Sequence, residues 1–184
     1  VTGMSAVRYL SSRGATVSVV DTRAHPPAIN MLQAEFPGVP CTTVDDSLNI
    51  GQADMIVLSP GLSRKHPSIL DAESNGVRIT SDVQLYSEEA RWPNLLVTGS
   101  NGKTTVTTLL GEILSAAGKQ VFVGGNIGTP VLDSLLSGNA YSCAVLELSS
   151  FQLELIEGLT AIAAVILNVT PDHMDRYDTF AEYR

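Results

Sequence analysis

Apolar residues recur along the chain in two alternating patterns, one typical of helices and one typical of buried strands. Met4, Val7 and Leu10 form an apolar stripe at helical spacing, and the β-branched run at 16–20 that follows favours a strand. The pattern predicts further strands at 39–44, 54–58, 77–80, 95–97, 120–123, 143–150 and 161–167. It predicts further helices at 26–36, 67–75, 82–90, 106–117 and 129–137. Strands that alternate with helices predict an α/β fold with parallel sheets.

The sequence Arg-Trp-Pro at 91–93 interrupts this pattern, and a new strand–loop–helix unit follows at once. We therefore predict two domains, 1–93 and 94–184. In the first, a helix and then a strand that ends at Asp21 are typical of the second half of a Rossmann-like nucleotide-binding unit. We expect the first strand of that parallel sheet to precede Val1, and the second domain to continue beyond Arg184, so that the chain is a fragment of a longer protein.

Residues 95–105 (Leu-Leu-Val-Thr-Gly-Ser-Asn-Gly-Lys-Thr-Thr) predict a phosphate-binding loop between a strand and a helix. Backbone N–H groups at such a helix start attract anions, and the helix dipole adds to this attraction. Lys103 would reach the outer phosphates, and the Thr104 hydroxyl would hold Mg²⁺. The full phosphate-loop pattern requires glycine where this chain has Val97, but the shorter core from Gly99 to Thr104 is intact.

Three further stretches of the second domain carry candidate chemistry. Glu147 interrupts an apolar strand, which suits either an Mg²⁺ site or a salt bridge to Lys or Arg. The glycine-rich turn 124–128 either approaches a ligand or only needs positive φ angles. His173 lies among acids, an arginine and a tyrosine after the last apolar strand, at the sheet edge where Lys103 is expected, which favours a metal or phosphate role.

The first domain offers weaker candidates. Asp21 follows a strand and suits a ribose hydroxyl, although a solvated carboxylate explains it equally well. Arg23 would accommodate a phosphate or be an ordinary surface arginine. The Ser-Pro-Gly turn at 59–61 follows the strand 54–58, where parallel sheets bind ligands, but an ordinary turn has the same sequence.

The overall charge limits the choice of ligand. A net charge of −8 and a pI near 4.7 argue against sequence-independent nucleic-acid binding, which needs a basic surface. No apolar run reaches the roughly 18 residues that a membrane-spanning helix needs. Cys41 and Cys143 are far apart and lack metal-type spacing, as do His25 and His66, so reduced thiols in a cytosolic protein are expected.

Residues 98–105 resemble the ATP loop of the Mur ligase family, which also lacks the first glycine of the general pattern. Residues 124–128 (Gly-Gly-Asn-Ile-Gly), 147–153 (Glu-Leu-Ser-Ser-Phe-Gln-Leu) and 168–177 (Asn-Val-Thr-Pro-Asp-His-Met-Asp-Arg-Tyr) resemble motifs of the same family. The turns 21–23 and 59–61 fit its uridine-nucleotide domain. The resemblance implies a cytoplasmic enzyme with a Rossmann-like UDP-sugar domain, a central ATPase domain and a third domain that helps to bind D-glutamate.

The resemblance implies an ATP- and Mg²⁺-dependent ligase that joins D-glutamate to UDP-N-acetylmuramoyl-L-alanine through an acyl phosphate, in peptidoglycan synthesis. It implies an ATP-binding set of Gly99, Ser100, Asn101, Gly102, Lys103, Thr104 and Thr105. It implies a substrate-binding set of Thr2, Asp21, Thr22, Arg23, Ser59, Gly61, Asn126, Ser149 and Gln152. It implies catalytic roles for Lys103, Glu147 and His173, and metal contacts from Thr104, Glu147 and His173. We expect a monomer without nucleic-acid partners or a membrane span.

The part of the family's enzyme that this chain covers limits the activity expected of it. The family's carbamoylated lysine and D-glutamate domain would lie beyond Arg184, so we expect these 184 residues alone to be inactive and poorly stable.

A sister ligase for another amino acid, or a folylpolyglutamate-type ligase, is the nearest alternative, and the run 149–153 argues for D-glutamate. A phosphate-loop NTPase that acts as a binding module would not need the 21–23 and 59–61 turns. A dehydrogenase reading would rest on the first domain alone.

Overall fold

The computed structural model describes residues 2–43, 50 and 52–184. Its helices are α1 Thr2–Ser12, α2 Ile29–Glu35, α3 Pro67–Ser74, α4 Asp82–Glu89, α5 Lys103–Ala116, α6 Val131–Leu136, α7 Ser150–Leu153 and α8 Phe180–Tyr183. Its strands are β1 Val19–Asp21, β2 Cys41–Thr43, β3 Met55–Val57, β4 Arg78–Thr80, β5 Asn94–Thr98, β6 Val121–Gly125, β7 Cys143–Glu147 and β8 Ala163–Ile166. Within the described ranges, no helix is long and apolar enough to cross a membrane.

The chain divides into two compact units, Val1–Thr80 and Ser81–Arg184. This division lies earlier than the predicted one after Pro93, because α4 belongs with the second unit. Tyr86 of α4, which is fully buried, donates a hydrogen bond of 2.7 Å to the Asn94 side chain at the start of β5. Gln84 of α4 accepts a hydrogen bond of 2.7 Å from the Glu157 backbone. These bonds hold α4 to the second unit. The interruption of the pattern at 91–93 follows α4 in sequence and therefore could not reveal this.

The first unit contains two parallel strand pairs. β1 pairs with β2, with Val19 opposite Cys41, and β3 pairs with β4. Met4, Val7 and Leu32 form a buried cluster between α1 and α2. Parallel pairing confirms the predicted α/β class. The strand predicted at 16–20 is displaced, since its ladder begins only at Val19, and the end of the strand predicted at 39–44 falls outside the described residues.

The second unit is built on one parallel sheet with the strand order β6-β7-β5-β8. All five residues of β7 are buried, and β5 lies between β7 and β8. Such near-continuous apolar strands are typical of parallel sheets that are covered on both faces. Because the strands are parallel, their carboxyl ends meet at a single edge of the sheet, where open α/β folds bind ligands.

Two helices of the second unit differ from the predicted pattern. α5 begins at Lys103 instead of Val106, and α7 was not predicted. Gly102 precedes α5 with a φ of 84°, a left-handed conformation that glycine adopts without strain and that ends the loop abruptly. α7 is too short for a hydrophobic period to show. Ser149 and Gln152 form a capping box at its start, with hydrogen bonds in both directions.

Asp82, the first residue of α4, is an ionisable group in an unfavourable environment. It is 1% exposed, and its Oδ1 atom has no hydrogen-bond partner among the described residues. Burial raises the pKa of Asp82 to about 6, and hydrogen bonds from the backbone of Val83 and of Asp82 itself offset this only in part. Folding therefore favours the protonated form of this carboxyl.

We expect stability to fall as the pH rises from about 4 to about 6, because the folded state holds the Asp82 proton that the unfolded state releases. The fall amounts to about 3 kcal/mol, because the pKa of Asp82 lies at about 4 in the unfolded state and at about 6 in the folded state. Asp82→Asn should remove this fall and stabilise the protein at neutral pH. Denaturation midpoints from pH 4.5 to 7.5 would test it, with the exposed Asp71→Asn as the control; equal pH profiles for wild type and Asp82→Asn would contradict the prediction.

Candidate functional site

Strand register brings three segments together at the carboxyl edge of the second sheet. Val97 of β5 lies opposite Glu147 of β7, and Thr98 lies opposite Ile166 of β8. The phosphate loop (residues 99–102) therefore begins between the end of β7 and the end of β8. Thr98 strengthens this junction with a hydrogen bond of 2.8 Å from its hydroxyl to the Leu148 carbonyl. The predicted loop, the predicted acid and the segment after β8 thus lie at one edge.

Two glycines shape the phosphate loop. Gly99 has a φ of 138°, and a Cβ atom there would lie 3.0 Å from the Asn168 carbonyl oxygen. Gly102, with its left-handed φ, directs the chain into α5. The first N–H groups of α5 have no carbonyl partner within the helix, which makes this turn suitable for an anion. Lys103 donates hydrogen bonds from Nζ to the Gly99 and Ser100 carbonyls, at 2.7 and 3.1 Å, so its ammonium group lies over the loop.

Ser100 is engaged within the protein and not directed toward solvent. Its hydroxyl donates to the Thr170 carbonyl and accepts from the Thr170 N–H, both at 3.0 Å. The Tyr183 hydroxyl lies 2.9 Å away and must be the donor, because a serine hydroxyl has one proton and its bond to a carbonyl uses it. The Ser100 N–H donates to the Asn168 carbonyl. If the loop binds phosphate, Ser100 would contribute through the shape of the loop and not through its hydroxyl.

Asn168, Thr170 and Tyr183 have no predicted roles, although all three contact the loop. The Asn168 side chain bonds to both the N–H and the carbonyl of Asn101, each at 2.9 Å. A usable signal existed: Asn168 follows an apolar strand that must end at the same edge as the loop. Tyr183 carried no such signal, since its contact with Ser100 spans most of the second unit.

Glu147 is a buried carboxylate with one unused oxygen. The residue is 1% exposed, and its Oε1 accepts a hydrogen bond of 2.8 Å from the Asn126 side chain. The Asn126 N–H also donates to the Glu147 carbonyl, at 2.8 Å. Oε2 is buried and has no hydrogen-bond partner among the described residues, and no Lys or Arg of the described ranges pairs with it. The salt-bridge alternative for Glu147 is therefore wrong for the described part of the chain.

The residues at this edge fit a magnesium ion that is held jointly with a nucleotide. A buried carboxylate oxygen without a partner is costly and is suited to a cation. Mg²⁺ in proteins is commonly bound by one or two carboxylates together with waters and substrate phosphates. Within the described residues, no group of three or more His, Cys, Asp and Glu side chains could hold a metal without such help. Glu147 and Thr104 are the side chains that would contribute.

His173 lies on the segment after β8, and its ring packs against Phe151 of α7 at a centroid distance of 4.7 Å. Its side chain is 47% exposed, and its backbone has a φ of 54°, in the left-handed region. The N–H of His173 donates to the Asp172 carboxylate at 2.9 Å, which supports this unusual backbone. The imidazole is thus accessible from solvent, and its predicted metal role stays a prediction.

Glu154 fixes the segment that carries His173. It accepts hydrogen bonds from Arg176 at 3.0 Å and from the Tyr177 hydroxyl at 2.7 Å. Burial raises the pKa of Tyr177 to about 12, so that this hydroxyl stays a donor. The Arg176 guanidinium also lies 4.1 Å from the centre of the Phe151 ring, a cation–π contact. The sequence predicts a chemical role for the motif 168–177. Arg176 and Tyr177 of this motif instead anchor the segment that carries His173.

The remaining predicted substrate residues of the second unit lie beside Glu147. Asn126 bonds to it directly, as described above. Ser149 and Gln152 follow β7 by two and five residues, and Gln152 is 3% exposed. The Gln152 side-chain oxygen accepts hydrogen bonds from the Ser149 N–H and hydroxyl, at 3.1 and 3.2 Å. These two side chains are therefore partly occupied by the capping of α7.

In the first unit, the predicted substrate residues lie at a helix start and at strand ends. Thr2 is the first residue of α1, and Ser59 and Gly61 lie in the exposed turn after β3. Asp21 ends β1 and pairs with Arg23, whose Nη2 lies 2.6 Å from Asp21 Oδ2. Hydrogen bonding to the Arg23 side chain lowers the pKa of Asp21, so the carboxylate is ionised at neutral pH. Thr22, between them in sequence, is exposed.

A parallel sheet whose central strand leads through a glycine turn and a lysine into a helix is typical of nucleotide phosphate-binding α/β proteins. Comparison with known families makes the class specific. Residues 97–184 match the Mur ligase middle domain, and residues 1–81 match the Mur ligase MurD-like N-terminal domain. The chain belongs to the Mur ligase family.

Individual relatives agree with this assignment. The chain is 51% identical over 178 residues to the UDP-N-acetylmuramoylalanine–D-glutamate ligase of Marinobacter nauticus, covering 96% of the chain and 39% of the relative. It is 49% identical over 183 residues to the ligase of the same name from Pseudomonas aeruginosa, covering 98% of the chain and 40% of the relative. The chain thus spans about two fifths of the length of these relatives.

Solved structures show a related fold. The UDP-N-acetylmuramate–alanine ligase of Thermotoga maritima aligns with a TM-score of 0.53 and 25% identity, over 99% of the chain and 43% of that protein. The UDP-N-acetylmuramate:L-alanyl-γ-D-glutamyl-meso-diaminopimelate ligase of Neisseria meningitides aligns with a TM-score of 0.56 and 24% identity, over 95% of the chain and 59% of that protein. The second likeness concerns the fold alone.

We expect Glu147→Gln to separate stability from Mg²⁺-dependent activity. Glutamine keeps the acceptor for Asn126 and removes a buried charge, so the denaturation midpoint should stay the same or rise. ATP-dependent phosphate release by the full-length protein should fall at least about 100-fold. The exposed Glu112→Gln, on α5, serves as the control and should retain activity. A destabilised but fully active Glu147→Gln protein would show that this carboxylate is structural.

Proposed function

We propose that this chain forms the UDP-sugar-binding domain and part of the ATP-binding domain of a ligase that adds D-glutamate to UDP-N-acetylmuramoyl-L-alanine. The observation that carries the proposal is the identity of about half over nearly the whole chain to two relatives that bear this ligase name. The geometry supports the chemical class. The phosphate loop and a half-paired buried carboxylate lie at the same sheet edge, as phosphoryl transfer from ATP requires.

The proposed reaction activates a carboxylate, which is a poor electrophile. The γ-phosphoryl group of ATP passes to an oxygen of the alanyl carboxylate, giving an acyl phosphate and ADP. The amine of D-glutamate then attacks the acyl carbon, a proton leaves the nitrogen, and inorganic phosphate departs with the C–O bond electrons. The first step brings two anions together, so charge neutralisation is the main contribution expected from the protein.

Several groups of the chain would contribute to this charge neutralisation, each according to its position. The N–H groups at the start of α5 and the Lys103 ammonium would hold the phosphates of ATP. Glu147 and Thr104 would hold Mg²⁺, which when bound supplies further positive charge between the phosphates and the carboxylate. The exposed imidazole of His173 would contact this assembly from the segment after β8.

The substrate-binding residues would fall into two groups. Asp21, Arg23 and the 59–61 turn, with Thr2 and Thr22, would contact the uridine diphosphate part in the first unit. Asn126, Ser149 and Gln152 would orient the sugar-peptide end beside Glu147. We propose that the reaction takes place in the cytoplasm, where ATP is available. Both cysteines of the chain are free thiols, as is usual for proteins in a reducing compartment.

Amino-acid specificity tests the proposal against the sister ligases. The full-length protein, supplied with ATP, Mg²⁺ and UDP-N-acetylmuramoyl-L-alanine, should release phosphate with D-glutamate and at least about 100-fold more slowly with L-glutamate, L-alanine or a diamino acid. Phosphate release without any amino acid would instead favour a phosphate-loop NTPase. Preference for another amino acid, or for a folate substrate, would assign a different member of the family.

Lys103→Ala tests the separation of the two nucleotide sites. Loss of the ammonium group should abolish ATP turnover, because no other cation in the loop can face the phosphates. The UDP-sugar should bind with unchanged affinity in calorimetry, since its proposed contacts lie mainly in the first unit. Lys119→Ala, at an exposed position beyond α5, is the matched control. If Lys103→Ala loses both ligands, the proposed division of labour is wrong.

A further inference from the structure

The phosphate loop is held from one side by residues 167–170, directly after β8. The Asn168 carboxamide makes two hydrogen bonds to Asn101, one from the Asn101 N–H to Oδ1 and one from Nδ2 to the Asn101 carbonyl, both 2.9 Å. Only one orientation of the carboxamide satisfies both bonds, because each requires the opposite atom type. A single side chain thus bonds to two successive peptide groups of the loop.

These bonds determine where the next N–H group points. The carbonyl of Asn101 belongs to the peptide that it shares with Gly102. In a trans peptide, the C=O and N–H bonds point in opposite directions. When Asn168 holds the Asn101 carbonyl, the Gly102 N–H must point away from Asn168. Without this bond the peptide could rotate at low cost, because Gly102 tolerates both signs of φ.

We propose that Asn168 is a positioning residue of the phosphate loop, which aligns the N–H groups at Gly102 and the start of α5 with the phosphates of ATP. The inference rests on the ATP-binding part of the proposed function and does not depend on the identity of the amino acid that is ligated. Asn168 does not itself contact the phosphates in this arrangement, since both ends of its carboxamide are occupied by Asn101.

Other bonds allow the role of the side chain to be tested without dismantling the loop. The Ser100 N–H donates to the backbone carbonyl of Asn168, which any residue at 168 supplies. The Ser100 hydroxyl remains bonded to Thr170 and Tyr183. Replacement of the Asn168 side chain therefore removes two bonds to Asn101 and leaves the neighbouring attachments in place.

The experiment measures the affinity of the full-length protein for ATP by calorimetry, in the absence of the other substrates. Asn168→Ala should raise the Kd for ATP about tenfold, because a loop that holds its binding-competent arrangement only about one tenth of the time binds its ligand that much more weakly. Asn168→Asp should raise it further, because aspartate still accepts from the Asn101 N–H but cannot donate to the Asn101 carbonyl and adds negative charge beside the phosphates. Val169→Ala, a neighbouring half-exposed side chain without a polar group, should leave it unchanged.

A role in positioning also predicts which quantities stay constant. The Kd for the UDP-sugar should match wild type in both Asn168 variants, and in the steady state KM for ATP should rise more than kcat falls. An unchanged Kd for ATP in either variant would overturn the proposal. So would an equal loss of UDP-sugar affinity, which would indicate general damage to the fold. If Asn168→Ala does not fold, Asn168→Leu replaces it, because leucine is similar in size, uncharged and unable to form either bond to Asn101.

The two proposals fail in different ways. A wild-type protein that binds ATP but does not release phosphate in response to D-glutamate would contradict the proposed reaction and leave the role of Asn168 open to the same binding test. A wild-type protein that ligates D-glutamate, and whose Asn168 variants bind ATP normally, would contradict only the inference about Asn168.

Discussion

Parallel pairing of β5 with β7 on one side and β8 on the other is the constraint on which the candidate site at the carboxyl edge of the second sheet depends. The register of these pairs sets Val97 opposite Glu147 and Thr98 opposite Ile166. The carboxyl ends of the three strands therefore coincide, and whatever follows each strand is brought to the same place. A slip of one residue would turn Glu147 to the other face of the sheet and would separate it from the loop.

The buried carboxylate of Glu147 shows what this convergence costs. A carboxyl group in a fully buried strand is unfavourable unless both of its oxygens are paired, and among the described residues only Oε1 is paired, by Asn126. The free oxygen is thus a local defect in the folded state that a cation would relieve. Burial also keeps water from competing for that oxygen, and this strengthens electrostatic interactions at the edge. Stability and cation binding are opposing demands at this position.

Much of the fold could be predicted because hydrophobic periodicity and punctuation by glycine and proline are local signals. The strands of the second unit, the phosphate loop and Glu147 were all located from short stretches of sequence. Where prediction differed from the structure, the cause was tertiary. The assignment of α4 to the second unit depends on the bond between Tyr86 and Asn94. α7 depends on its capping box, and it is too short to show a hydrophobic period. The alternatives for Glu147 could be separated only when its neighbours were known.

By itself, the sequence determined the α/β class, the position of the phosphate loop and the identity of the groups that could carry phosphate chemistry, because these follow from local patterns and from residue chemistry. Only the tertiary structure decided how those groups are used. It showed that the Ser100 hydroxyl is consumed by Thr170 and Tyr183 and that Asn168 holds two peptides of the loop. Partners that lie about seventy or more residues apart cannot be inferred from local patterns, since only the paired strands bring them within hydrogen-bond distance.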